Sequence, residues 1–301
     1  MYCWGDENTG WADPDGYEFK GSARKAEERK LAAEVTKLRG GRTYQRRSAP
    51  DAQLVDPRGR ELVTASAHPI VVAVDVTGSM QHWPFEIFDR LPLLYQTLSQ
   101  YREDLEVSFA AIGDATCDRW PLQVTDFASG LELEPRLNAL WGEGGGGGGA
   151  RESYELFFHW LLRRAKAPQA VRPFLILYGD EGFYPRIDPK QARHWVGDGL
   201  EAPLDSTAVI EAVCEGWNVF HLRKPYGGRQ EGEILAQWTD VLGPERILRI
   251  DDEQRAVDLA LGIVARSWGE LADFEQNLAA RQDRRKVLEV LRAVDRVEPA
   301  R

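Results

Sequence analysis

Two unbroken apolar runs constrain this chain most: Ile70-Val71-Val72-Ala73-Val74 and Phe174-Leu175-Ile176-Leu177-Tyr178. A strand with one face in water alternates apolar and polar side chains. A run without a polar position needs cover on both faces, as in a parallel sheet sandwiched between helices. Each run leads into a short acidic segment. Asp75-Val76-Thr77-Gly78-Ser79 follows the first, and Gly179-Asp180-Glu181-Gly182 follows the second.

Strand-like and helix-like segments alternate around these runs. Residues 105–112, 218–222 and 246–250 read as further strands, and 59–66 as a leading one. A helix is predicted from Trp83-Pro84, because proline suits a first turn. Phe85, Phe88, Leu91, Tyr95 and Leu98 share one face of it, and Pro92 is expected to kink it or end its first segment. Further helices are predicted at 131–141, 152–166, 206–216 and 253–267, with charged ones at 22–38 and 268–297. In the second of these, Leu156, Phe157, Trp160, Leu161 and Arg164 fall at helical spacings. The alternation predicts an α/β fold over residues 61–267: a doubly wound, mostly parallel central sheet flanked by helices. Residues 1–60 form an N-terminal extension, partly irregular with one charged helix, and 268–301 a C-terminal helical extension.

Composition narrows the function classes. With 301 residues, 43% of them hydrophobic, and ten tryptophans, the chain can bury a large core. No stretch approaches the roughly 18 consecutive apolar residues of a membrane helix. The first residues are polar and acidic, without a signal-peptide pattern. Cys3, Cys117 and Cys214 are odd in number and far apart, which argues against a disulfide framework and for a cytoplasmic setting. A net charge of −10 disfavours nucleic-acid binding, and with it an RNA-associated scaffold. Residues 24–47 are locally basic and read as a solvated helix face and arm.

Asp75, Thr77 and Ser79 put one carboxylate and two hydroxyls at positions i, i+2 and i+4 after a buried strand. Open α/β sheets bind ligands at that end. Such a set suits a hard cation: Mg²⁺ takes about six oxygens, commonly from one or two carboxylates, neutral donors and water. Mn²⁺ and Ca²⁺ are the alternatives. Gly78 lets the loop turn tightly. Asp114 ends another strand, so acids gather on one sheet edge, where without a cation each raises the pKa of the next. One such Asp alone is ordinary turn or cap chemistry, but hydroxyls at both alternate positions serve no obvious turn. The five histidines and three cysteines have no zinc-ligand spacing, and His82 reads as a packing or capping residue.

With Asp75-x-Thr77-x-Ser79, the Met80 that follows, and Asp180, the stretch from about 60 to 267 resembles a von Willebrand factor type A (vWA) domain. The likeness is to the intracellular bacterial kind with a metal-ion-dependent adhesion site (MIDAS). The resemblance implies a Rossmann-like fold in which Thr77 and Ser79 bind the metal directly, and Asp75 and Asp180 directly or through water. A partner protein then supplies an Asp or Glu to an open coordination position. The middle loop departs from the pattern. The family usually has a Thr there, whereas this chain reads six glycines from Gly144 to Gly149, then Ala150-Arg151-Glu152-Ser153. A branch of the family with Gly-Gly-Asp-x-Pro-Glu would align Glu152 with its Glu and Gly149 with its Asp. Glu152 or Ser153 could supply the missing oxygen; Glu152 reads equally well as a first-turn acid opposing a helix dipole. Asp114 resembles the Asp of an Arg-Asp pair in that branch, with Gly113 replacing the Arg. It would line the site together with Gly78, Gly149 and Glu181.

The glycine run has two readings. A phosphate-cradling loop would continue Gly-Lys-Ser/Thr, and no such sequence follows the glycines. Otherwise the glycines let the backbone pass close to the metal. The resemblance implies a metal-dependent protein–protein interaction module, an adaptor without catalytic activity. Its expected partners are an AAA-type ATPase or a stress-response or modification-system component. The alternative is a Mg²⁺-dependent hydrolase with Asp75 as nucleophile. A phosphatase of the haloacid dehalogenase type needs a second Asp where this chain has Thr77.

Overall fold

The apolar runs form the middle of a six-stranded sheet in a computed structural model, which describes residues 44, 46–146 and 149–297. The predicted helix at 22–38 and most of the N-terminal extension lie outside the described residues. The strands are β1 (Ile70–Asp75), β2 (Val107–Ile112), β3 (Leu122–Val124), β4 (Phe174–Gly179), β5 (Asn218–Arg223) and β6 (Ile247–Arg249). Their order is β3-β2-β1-β4-β5-β6, with β3 antiparallel to β2 and every other pair parallel. The mostly parallel α/β sheet expected from the sequence is present.

Both faces of each central strand are buried, which explains the missing polar positions. Ile70, Val72 and Val74 join Ile176 and Tyr178 in one core, and Val71 and Ala73 join Leu175 and Leu177 in the other. The first core lies under α1 (Trp83–Tyr101), α2 (Leu133–Ala139) and α6 (Ala256–Ser267). The second lies under α3 (Tyr154–Arg164), α4 (Ser206–Gly216) and α5 (Glu231–Leu242). On α3, Leu156, Phe157, Trp160 and Leu161 are fully buried or nearly so. Each contributes about 1.5–3 kcal/mol relative to exposure.

Several boundaries differ from expectation. α1 runs through Pro92 to Tyr101 without ending there. Phe88, Leu91, Leu93 and Leu94 are all buried around the proline, so packing offsets the lost backbone hydrogen bond. The leading strand shrinks to Leu62–Val63, which pairs with Ala165–Lys166 outside the central sheet. The single charged helix at 268–297 is two helices, α7 (Leu271–Arg281) and α8 (Arg284–Val294). Asp283 breaks them by capping α8, its carboxylate accepting the N–H groups of Arg285 and Lys286. Phe274, Leu278, Val287 and Val290 from this pair complete the first core. Among the described residues no helix is long and apolar enough to cross a membrane.

From β1 the chain goes to β2, and from β4 it goes to β5 on the opposite side. The strand order therefore reverses between β1 and β4, and such a switch point opens a crevice at the strands' C-terminal ends. Asp75 is the last residue of β1, and Asp180 directly follows β4.

Candidate metal centre

Asp75 is fully buried at the mouth of this crevice. Its Oδ1 accepts the Thr77 backbone N–H at 2.9 Å and the Thr77 hydroxyl at 2.6 Å. The Thr77 hydroxyl thus serves the turn, contrary to the sequence reading, while keeping its oxygen lone pairs. Ser79 Oγ lies 3.2 Å from Thr77 Oγ1 and donates to Asp180 Oδ1 at 2.8 Å. A single chain of contacts therefore joins Asp75, Thr77, Ser79 and Asp180, four residues brought together from two strands. Both hydroxyls give their protons to carboxylates and retain lone pairs, the state in which they can ligate a cation.

Glu152 reaches the crevice by a route the sequence did not suggest. It is not in the first turn of α3. It lies in a two-residue strand, Arg151–Glu152, that pairs in parallel with Gly182–Phe183. That pairing brings Glu152 close enough to Glu181 for the Glu181 charge to raise the Glu152 carboxyl. The segment carrying Glu181 is held by α5: Trp238 Nε1 donates to Glu181 O, and Gln237 Nε2 to Phe183 O, each at 2.9 Å. Glu152 and Glu181 are 2% and 3% exposed, and the Oε2 of each is buried without a hydrogen bond.

Burial and the Asp180 charge push the Asp75 carboxyl up to about 7. Burial, then Asp75 and Asp180, do the same for Glu181, also to about 7. Glu152 is raised further, to about 11, by burial and then by Asp75, Glu181, Asp114 and Asp118. Carboxyls in this state either hold protons or need a cation.

Ser153, Asp114 and Gly149 sit at the margin. Ser153 Oγ accepts the Ala115 N–H at 2.8 Å, tying the start of α3 to the loop after β2. Asp114 accepts from Thr116 at 2.9 and 2.7 Å and from the Tyr184 hydroxyl at 3.1 Å. Gly149 O accepts the Tyr226 hydroxyl at 3.3 Å. The glycines that cover the loop from Thr77 to Ser79 are earlier in the run. Gly145 O accepts the Gly78 N–H at 2.5 Å, and a Cβ on Gly78 would stand 3.0 Å from Gly144 O. Gly78 is required by this close approach. His82 points away, its Nε2 lying 3.0 Å from Glu253 Oε1.

Two polar residues at the site escaped the sequence reading. The Tyr154 hydroxyl donates to Asp75 Oδ2 at 2.5 Å, across Gly179, where a Cβ would collide with it. Lys224 Nζ donates to Asp180 Oδ2 and to Ser79 O, both at 2.7 Å. An aromatic opening an apolar helix reads as core, so Tyr154 gave no signal. Lys224 gave a faint one: it follows β5 as Asp180 follows the neighbouring β4.

The donor set is all oxygen, mixes carboxylates with hydroxyls, and includes two buried carboxyl oxygens without a partner, which fits a hard cation. Among the described residues no group of three or more His, Cys, Asp or Glu side chains is arranged to hold a metal ion. Any such site would therefore draw on the hydroxyls of Thr77 and Ser79 as well as on carboxylates.

No protein-family model matches the chain, and no curated protein matches it. Among solved structures it is similar to the pilus adhesin SpaC from Lactobacillus rhamnosus GG, with a TM-score of 0.49 and 12% identity over 70% of this chain and 32% of that one. It is also similar to proximal thread matrix protein 1 from the mussel byssus, with a TM-score of 0.47 and 12% identity over 70% of this chain and 49% of that one. The chain spans about a third to a half of the length of these structures. Likenesses this distant say nothing of family or activity.

Proposed function

We propose that this protein is a vWA-type interaction module that recruits an acidic side chain of a partner protein through a divalent cation. One observation carries the reading: Asp75, Thr77, Ser79 and Asp180 form a continuous oxygen chain at the switch point of the sheet. Thr77, Ser79, Asp75 and Asp180 would hold the ion, with Glu152 and Glu181 beside it, and Mg²⁺ is the first candidate. When bound, the ion supplies an electrophilic position for an incoming carboxylate. The protein's own residues orient the oxygens. Tyr154 fixes Asp75 Oδ2, the Gly144–Gly145 backbone closes over Gly78, and α5 anchors the Glu181 segment.

A hydrolase has less support. Both Asp75 oxygens already accept hydrogen bonds, and Thr77 stands where the second acid would be needed. An AAA-type ATPase or a stress or modification-system component in the cytoplasm is the partner class proposed. The test is a pull-down from lysate with Mg²⁺ and with chelator, run beside turnover of a generic phosphate ester. The expected result is Mg²⁺-dependent capture that Asp75→Ala abolishes, without turnover. Capture indifferent to chelator, or Mg²⁺-dependent hydrolysis, would overturn the reading.

A further inference from the structure

Lys224 follows β5, and its backbone N–H donates to Gly179 O at 3.0 Å, which fixes the root of its side chain beside the end of β4. From there Nζ spans the site, touching Ser79 O on one loop and Asp180 Oδ2 on the other. The neighbouring cation has other work: Arg223 pairs with Glu231 at 3.0 Å and donates to the Asp180 backbone carbonyl, also at 3.0 Å. Among the described residues, the Lys224–Asp180 pair is the one salt bridge made by Asp75, Glu152, Asp180 or Glu181.

We propose that Lys224 is a tethered counter-ion that competes with the divalent cation for Asp180. The inference rests on the metal-binding reading above. The ammonium bridges the loops after β1 and β4, so it holds together the oxygens that the metal would otherwise gather. Two cations in one crevice repel, and a divalent ion drawing on Asp180 has to share or release the oxygen that Lys224 holds. The side chain can give way. It is 16% exposed and ends in a compact charge on a flexible four-carbon stem. Lys224 therefore stabilises the metal-free protein and raises the cation concentration needed to load it.

One substitution separates these effects because they have opposite signs. Lys224→Met keeps the stem and removes the charge. Titration calorimetry of the full chain with MgCl₂ should show binding about tenfold tighter or more than in the wild type. In EDTA the same variant should melt at a lower temperature. Lys224→Gln should behave alike, retaining a hydrogen-bond donor should Met impair folding, and Lys224→Arg should keep the wild-type affinity. Equal or weaker Mg²⁺ binding in both neutral variants overturns the role of Lys224 and leaves the metal site standing. Absence of Mg²⁺, Mn²⁺ and Ca²⁺ binding in the wild type and all variants overturns both.

Discussion

Two of the places where this protein buries acid resolve the cost differently. Asp258 on α6 is 1% exposed and meets Arg255 Nη1 at 3.0 Å, Arg281 Nη1 at 3.2 Å and Gln282 Nε2 at 2.5 Å. Its charge is answered inside the chain by two guanidinium groups. At the sheet edge, Asp75, Glu152, Asp180 and Glu181 have one ion pair among them, that of Asp180 with Lys224, and the Oε2 atoms of Glu152 and Glu181 have no hydrogen-bond partner. Burial of a carboxylate is common to both. What distinguishes the second is a group of acids with one cation among them facing a crevice, where they either hold protons or are stabilised by an outside cation.

The largest expected effect tests the closed site. Asp258→Ala leaves Arg255 and Arg281 without their shared acid and should cost about 3–5 kcal/mol in chemical denaturation. The Mg²⁺-induced rise in melting temperature should survive in any fraction that folds, and its disappearance would mean that the two sites are coupled. Next comes the open site. Mg²⁺ at about a hundred times its dissociation constant should stabilise the wild type by roughly 2.7 kcal/mol. Asp75→Ala should lose that gain entirely, and Ser79→Ala should retain part of it. An unchanged gain in the Asp75 variant would sink the site.

Tyr154→Phe should cost about 1–2 kcal/mol, since it deletes one hydrogen bond to a buried carboxyl. That bond favours the ionised form of Asp75. Its loss should move the pH midpoint of Mg²⁺ binding upward, whereas a purely structural role for the tyrosine would leave the midpoint in place.

The smallest effect is the pH dependence of the metal-free protein. Asp75 and Glu181 have folded-state pKa values near 7, raised above those of the unfolded chain, so the native state holds more protons across that interval. Their contribution is full below about pH 4 and is lost as pH rises through 7. Burial depresses His159 and His221, which work in the opposite direction below about pH 6.5. Melts in EDTA at pH 6.5 and 8 should show a loss on the order of 1 kcal/mol from these two carboxyls, in the same direction as that from the more strongly raised Glu152 and Glu155. Saturating Mg²⁺ should flatten that slope, and an equal slope with and without metal would separate the ion from these acids.

Much of this was legible in the residues themselves. The two unbroken runs required cover on both faces, and the alternation of elements required a mostly parallel sheet. Asp75, Thr77 and Ser79 are near neighbours, so local spacing alone revealed them. Asp180 followed from its place after the second apolar run. Glu152 and Glu181 were noticed as acids, but not as a facing pair. Their meeting depends on Arg151–Glu152 pairing with Gly182–Phe183, a contact between segments about thirty positions apart.

The sequence by itself determined the layered α/β architecture and the oxygen-rich loop, because hydrophobic periodicity and short-range spacing are local properties of a chain. Tertiary structure alone decided how the site's charge is balanced. Tyr154 reaches Asp75 through the gap left by Gly179, and Lys224 spans from β5 to Asp180. Both depend on which strands lie side by side, and strand order is set by packing across the whole sheet.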